Sequence, residues 1–190
     1  MKSNLGKLGR LRRPGAVLAL AAAAASSGCA HLFSADSDRK PAAEAVTPEV
    51  IRYKLPNSSF PISLGVEIPA GKNLVFLSGM TPPLVDPKAP KDSRAAYGDT
   101  RTQTLGVLKT IEGALRTMGL GMKDVVKMQV FLVGDPAKGG KMDFAGMMEG
   151  YTQFFGTPEQ PNLPSRAAMQ VVALANPGFM VEIEVAAVRP

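Results

Sequence analysis

Over residues 51–189, short apolar segments rich in β-branched residues alternate with two stretches of helical periodicity. The expected strands lie at 51–55, 64–68, 74–78, 125–133, 166–174 and 179–189. The first expected helix covers 100–118, where Asp99 can cap its start and Gly119 can end it. The order strands, helix, strand, helix, strand, strand predicts an α+β domain in which two helices cover one side of a mixed sheet.

The second helix carries an unbroken stripe of large apolar residues at spacings of three and four. The stripe consists of Phe144, Met147, Met148, Tyr151, Phe154 and Phe155, and Gly156 and Pro158 end it. A helix with such a stripe buries it against the rest of the domain. We therefore interpret these methionines and aromatic rings as core packing rather than as a cofactor site.

The last two strands are joined by Asn176-Pro177-Gly178, a turn sequence that predicts a β-hairpin. Small and apolar residues mark the sheet face that the helices are expected to leave open. These residues are Ala168, Val172, Ala186 and Val188. Because a solvated face rarely carries such a set, we expect this face to be buried in a homo-oligomer.

The net charge of +6 is concentrated at the N-terminus. Five basic residues and no acidic ones precede residue 28, which leaves 17 basic and 16 acidic residues in the rest of the chain. That part is nearly neutral, so the composition gives no evidence for nucleic-acid binding.

Residues 1–28 have the three parts of an export signal, namely a basic stretch, an apolar stretch and small residues. Ser26-Ser27-Gly28-Cys29 resembles a bacterial lipobox, with Ser26 where leucine is usual, and this makes Cys29 a candidate for acylation. Soluble export after cleavage near Ala30, or a twin-arginine signal at Arg12-Arg13, are the alternatives.

These signals divide the chain into an export signal at 1–28, a flexible tether at 29–49 and a folded domain at 50–190. We expect an exported, periplasmic protein. A lipid on Cys29 would anchor it to the outer membrane, and we expect no other contact with a membrane.

Cys29 is the only cysteine and His31 the only histidine, and both lie beside the expected cleavage site. The folded domain therefore has no disulfide, no Cys-His nucleophile pair and no Ser-His-Asp triad. The usual zinc ligands are missing as well, so we expect no metal site.

Six segments cover nearly all of residues 60–190, and their order and spacing match those of a known family. They are Phe76-Leu77-Ser78-Gly79, the first helix with Gly119-Leu120, Asp124-Val125-Val126-Lys127, Met142-Asp143-Phe144 through Phe154-Phe155, Leu163-Pro164-Ser165-Arg166, and Val181-Glu182-Ile183-Glu184-Val185-Ala186. Together they resemble the Rid family of small imine deaminases. The resemblance implies a trimer of chorismate-mutase-like subunits, whose sheets form the inside of a barrel, with a pocket at each subunit interface.

The resemblance also implies hydrolysis of 2-imino or enamine acids to 2-oxo acids and ammonia, without a cofactor or metal. Arg166 matches the family arginine that holds the substrate carboxylate, and a planar, permanently charged guanidinium suits that task. Glu182 matches the acid placed near the attacking water, with Glu184 as an alternative. Ser78 and Gly79 match the pocket loop. The plain alternatives are a surface ion pair for Arg166 and a structural ion pair for Glu182.

At four pocket positions the chain has an apolar residue where the family has a polar or reactive one. They are Ile62 for Tyr, Met80 for Gln, Met148 for Asn and Ala168 for Cys. The predicted pocket keeps its charged group but becomes more apolar, with Ile62 and Met148 against the substrate. One hypothesis is a deaminase that prefers bulky apolar side chains. The other is a non-catalytic envelope module that binds a small carboxylate or a protein partner.

Overall fold

A computed structural model describes residues 49–190. The predicted export signal, the candidate Cys29 and nearly all of the predicted tether lie outside the described residues. The strands are β1 (Ile51–Lys54), β2 (Ser63–Glu67), β3 (Leu74–Phe76), β4 (Val125–Asp135), β5 (Lys141–Met142), β6 (Ser165–Val171) and β7 (Val181–Val188). The helices are α1 (Thr100–Thr117) and α2 (Phe144–Tyr151). Neither helix is long and apolar enough to cross a membrane.

The strands form one sheet in the order β1-β2-β6-β4-β7-β3, with β5 paired to the end of β4. The strand β6 runs parallel to both β4 and β2, whereas the remaining pairs are antiparallel. The sheet is therefore mixed. Together with the two helices it confirms the predicted α+β fold class.

The main core lies between the helices and one face of the sheet. Asp99 caps α1 as predicted, since its carboxylate accepts a hydrogen bond of 2.8 Å from the backbone N–H of Thr102. The predicted apolar stripe of α1 is buried at Leu108, Ile111 and Leu115. Each buried side chain of this size contributes roughly 2 kcal/mol to the stability of the fold, so this stripe fixes α1 against the sheet.

The predicted hairpin of the last two strands is wrong. The strands β6 and β7 do not pair with each other, because β4 lies between them and pairs with both. The segment that connects them instead packs against α1, where the buried Gln103 donates from Nε2 to the Gly178 carbonyl and accepts at Oε1 from the Met180 N–H. These bonds of 3.0 and 2.7 Å hold the connection in its crossing over β4.

Two element ends also differ from the prediction. The strand β4 extends to Asp135, into the segment expected to be a turn. The helix α2 ends at Tyr151, earlier than its apolar stripe suggests, but Phe155 remains in the core, stacked on Tyr151 at 4.9 Å. The stripe continues past the helix because the following turns keep the ring of Phe155 on the same side.

The sheet face away from the helices carries a smaller apolar cluster. Its buried members are Val126, Ala186 and Val188. The predicted position of Ala186 and Val188 on this face is therefore confirmed. Ala168 was expected on this face but packs against the main core on the helix side, and Val172 is 99% exposed beyond the end of β6. The homo-oligomer stays a prediction.

Candidate functional site

Arg166 is the second residue of β6 and projects from the helix side of the sheet. The register shows this, because Arg166 pairs with Met128, and Met128 pairs in turn with Val185, both of which belong to the main core. Ser63 holds the two residues that precede β6. Its N–H donates to the Pro164 carbonyl (3.0 Å), and its hydroxyl donates to the Leu163 carbonyl (2.7 Å).

Three aromatic rings surround the guanidinium of Arg166. Its central carbon lies 4.2 Å from the ring centroid of Tyr151, 5.4 Å from that of Phe60 and 5.9 Å from that of Phe144. Tyr151 is buried, and its hydroxyl donates a 2.8 Å hydrogen bond to the Pro61 carbonyl. Stacking of this kind stabilises a cation and holds its plane in one orientation.

The cation of Arg166 has no counter-charge from these rings. Burial lowers the pKa of Arg166, and the nearby Tyr151 opposes that change. Burial also raises the pKa of Tyr151 to about 12, against a smaller opposite effect from Arg166, so the phenol is neutral at physiological pH. Within residues 49–190, the covered Nη1 atom of Arg166 has no hydrogen-bond partner. A buried donor without an acceptor is costly, so the guanidinium is suited to receive an anion.

Ile62 and Met148, the predicted apolar residues of the pocket, lie in the same region as Arg166. Phe144, Met148 and Tyr151 are at i, i+4 and i+7 of α2 and therefore share one face of the helix. Ile62 directly follows Pro61, the acceptor of the Tyr151 hydroxyl. Met148 therefore lies on the helix face whose rings contact Arg166, and Ile62 follows the segment that the Tyr151 hydroxyl holds.

Glu182, Ser78 and Gly79 form a second group on the opposite face. Glu182 pairs with Phe131 of β4, which has the opposite orientation to Met128. The carboxylate of Glu182 lies directly over Gly79, where a Cβ atom would overlap its Oε1. The chain continues from there to Met80, whose N–H donates to the Ile183 carbonyl (2.9 Å), and Ser78 is exposed. Gly79 therefore permits this position of Glu182.

The clefts in the described part of the chain include two that are lined by neither Arg166 nor Glu182. The larger, of about 540 Å³, lies near Arg52, Lys72 and Lys123, and the smaller, of about 220 Å³, is lined by Glu184 among others. Residues 49–190 also bring together no group of three or more His, Cys, Asp or Glu side chains that could hold a metal ion. A small-molecule site at Arg166 or Glu182 would need additional residues, such as those of a second subunit, to enclose the ligand.

The rings around Arg166 are functional candidates that no local sequence pattern reveals. The apolar stripe of α2 predicts Phe144 and Tyr151 in the core, which is right for Tyr151, whereas Phe144 is 36% exposed. Phe60 lies outside any strand or helix and belongs to no periodic pattern. Its position before Pro61 could have suggested a fixed loop, but only the fold places its ring beside Arg166.

Residues 56–189 match the family model described as endoribonuclease L-PSP. A RutC family protein of Pyrococcus horikoshii is 34% identical over 117 residues, which are 62% of this chain and 80% of that protein. TdcF of Escherichia coli, named as a candidate reactive intermediate deaminase, is 30% identical over 72% of this chain and 92% of its own.

A solved structure of YyfB from Yersinia pestis, a Rid family protein of unknown function, has the same fold. It is 23% identical, with a TM-score of 0.53 over 73% of this chain and 96% of its own. The match to the family model covers most of the described residues and includes all six resembling segments. The chain therefore belongs to the endoribonuclease L-PSP family, which includes the Rid proteins.

Proposed function

We propose that the protein is a deaminase that hydrolyses 2-imino acids, or the enamine acids that tautomerise to them, to 2-oxo acids and ammonia. The observation that carries the proposal is the state of Arg166. Its guanidinium is held against Tyr151 at 4.2 Å, and its covered Nη1 atom has no partner within residues 49–190. A carboxylate is the ligand that satisfies such a group with two parallel hydrogen bonds.

Glu182 is the residue that would handle water in this reaction. Water adds to the carbon of the C=N bond, and Glu182 accepts a proton from it and passes a proton to the nitrogen. The hydroxyl proton of the resulting carbinolamine then moves through Glu182 to the nitrogen, the C–N bond breaks, and ammonia leaves as the C=O bond forms. One water is consumed for each ammonia released, so atoms and charges balance without any further reactant.

The proposed site is shared between two subunits of a homotrimer. Arg166 lies on the helix side of the sheet, whereas Glu182 lies with Ser78 and Gly79 on the other side. One small substrate cannot reach both groups of a single chain through the sheet. A neighbouring subunit that brings its open face to the edge beside Arg166 would supply Glu182 and close the pocket.

The test is release of ammonia and 2-oxo acid from freshly generated 2-imino acids. We expect clear acceleration by the wild-type protein and a loss of about a hundredfold or more in kcat/KM in Arg166→Ala, because the carboxylate then has no charged partner. Arg116→Ala is the matched control, since it removes an exposed arginine from α1. No acceleration by the folded, assembled wild-type protein would contradict the proposal.

A second candidate function is binding of a small carboxylate without turnover, in an envelope module that recognises this ligand or a protein partner. It is favoured by the apolar residues Ile62, Met148 and Ala168, of which Ala168 packs against the core and offers no reactive group near Arg166. The ammonia assay separates the two functions when the same variants are also titrated with a small carboxylate. Carboxylate binding that depends on Arg166, without ammonia release, would support the binding module.

We also propose that the protein is exported and anchored to the outer membrane by a lipid on Cys29, with the domain in the periplasm. The support is the sequence of residues 1–29 alone. Mass analysis of protein expressed with its own signal tests this, with Cys29→Ser as the control. Cleavage without added lipid mass would favour soluble export, and an uncleaved chain would contradict both.

A further inference from the structure

Two of the three rings around Arg166 differ from the third in being open to solvent. Tyr151 is buried between Arg166 and Phe155, so no ligand can cover its ring. Phe60 and Phe144 are 38% and 36% exposed, and both lie within 6 Å of the guanidinium carbon. An apolar surface of two rings therefore adjoins the cation.

The backbone around Phe60 is fixed by local hydrogen bonds. The N–H of Phe60 donates to the Ser58 hydroxyl (3.1 Å), and its carbonyl accepts from the Ile62 N–H (2.8 Å). The next carbonyl, that of Pro61, accepts from the buried Tyr151 hydroxyl. The ring of Phe60 is thus presented on an anchored segment, and little ordering is needed when a ligand packs against it.

Phe144 is fixed in a similar way at the start of α2. Asp143 caps this helix by accepting a 3.1 Å hydrogen bond from the Gly146 N–H, and it also pairs with Lys138 at 3.3 Å. The rings of Phe60 and Phe144 are nearly parallel, with 14° between their planes and 6.3 Å between their centroids. Together they present an ordered aromatic surface.

We propose that Phe60 and Phe144 form the side-chain subsite of the protein and select 2-imino acids, and the matching carboxylates, that carry an aromatic side chain. The inference rests on the function proposed above, because it assigns the substrate class of that same site. A carboxylate hydrogen-bonded to Arg166 at about 2.8 Å has its substituent within reach of these rings. An aromatic substituent gains both burial and ring stacking there, whereas a methyl group gains little.

The experiment measures binding first, since binding does not require turnover. The probes are 3-phenylpropanoate and propanoate, titrated calorimetrically into the full-length protein. We expect the wild-type protein to bind 3-phenylpropanoate at least about tenfold more tightly, and Phe60→Ala to lose most of this preference. Phe60→Leu should keep part of it, and Leu84→Ala, which truncates an exposed leucine elsewhere, should keep all of it.

The second measurement is kcat/KM for the imines derived from phenylalanine and from alanine. Phe60→Ala should lower the first about tenfold more than the second. Equal binding of the two probes by the wild-type protein, or an unchanged preference in folded Phe60→Ala, would overturn the inference. If the aromatic preference and its loss are observed without any ammonia release, the side-chain subsite is supported for carboxylate ligands, whereas the deaminase proposal fails.

Discussion

Arg166 and Glu182 lie on opposite faces of one sheet, on strands separated only by β4. Met128 of β4 shares its face with Arg166, and Phe131 of the same strand shares the other face with Glu182. Side chains three positions apart along a regular strand point to opposite sides. If both groups act on one substrate, they must come from different subunits.

This relationship predicts complementation between two inactive variants. We expect Arg166→Ala and Glu182→Gln to be inactive alone, and a 1:1 mixture that is unfolded and refolded together to recover activity. In random homotrimers about a quarter of the interfaces would combine an intact arginine with an intact glutamate. Ammonia release by the mixture measures this recovery.

The control for that experiment is a mixture of the variants that is never unfolded, in which subunits exchange slowly and activity should stay low. The double variant that carries both substitutions, refolded with either single variant, should be no more active than that single variant alone. Persistent inactivity of the refolded mixture, with assembly intact, would disprove a shared site.

Arg166→Met should leave the fold as stable as before while it abolishes activity. The substitution removes a covered donor without a partner and leaves an apolar chain against Tyr151. We expect the free energy of unfolding to stay the same or rise by up to about 1 kcal/mol, since the loss of the cation–π contact offsets part of the gain.

Denaturant unfolding at fixed protein concentration measures this change, with Arg116→Met on the exposed face of α1 as the control. A loss above about 2 kcal/mol in Arg166→Met alone would mean that the guanidinium mainly holds the fold. The role of Arg166 in binding would then lose its physical support.

The fold class could be predicted from the sequence because each helix and strand carries its own local pattern. The α1 cap at Asp99 and the strands near 51, 64 and 125 are examples. The pairing of β6 with β4 could not, since Asn176-Pro177-Gly178 is a good hairpin turn in isolation. Contacts with distant residues direct this segment across the sheet instead. Gln103 binds the chain on both sides of Phe179, and the Lys91 carbonyl accepts a hydrogen bond from the Asn176 amide.

The grouping of Arg166 with Ala168 could be predicted from the sequence, but the geometry of the candidate site and its aromatic residues Phe60 and Phe144 could not. Alternation along β6 correctly groups Arg166 with Ala168, but the face that they share depends on the register of β6 against β4, a contact between distant segments. The same holds for Phe60, which reaches Arg166 only through tertiary structure. Local patterns carry no information about such placements.

Gly79→Ala should reduce activity nearly as much as Glu182→Gln without unfolding the protein. A Cβ at this position would overlap Glu182 Oε1, and the flexible carboxylate can rotate away at little cost to stability. We expect kcat to fall at least about tenfold, because Glu182 loses its position relative to the water. The measurements are steady-state kinetics and thermal unfolding.

Gly113→Ala is the matched control, because a Cβ built on this exposed glycine of α1 would meet no atom within 4 Å apart from its chain neighbours and the backbone of its own helix. It should leave kcat unchanged and stabilise the helix by up to about 1 kcal/mol. Full activity of Gly79→Ala would show that the carboxylate position seen here is not the working one.

Tyr151 should titrate later than an ordinary tyrosine, and this has a consequence for stability at high pH. Burial raises its pKa from 10.0 in the unfolded chain to about 12 in the folded one, so folding holds the proton more tightly. The stabilisation is fully present below pH 10 and is lost as the pH rises towards 12, by an amount on the order of 2 kcal/mol.

We expect the last phenolate transition of the native protein, followed by absorbance, to disappear in Tyr151→Phe. The exposed Tyr53, whose pKa is also raised by its hydrogen bond to Glu67, provides the control, since Tyr53→Phe should keep that last transition. A Tyr151 that ionises near pH 10 would mean that water reaches its hydroxyl, and the Pro61 contact that fixes the segment beside Arg166 would then be open in solution.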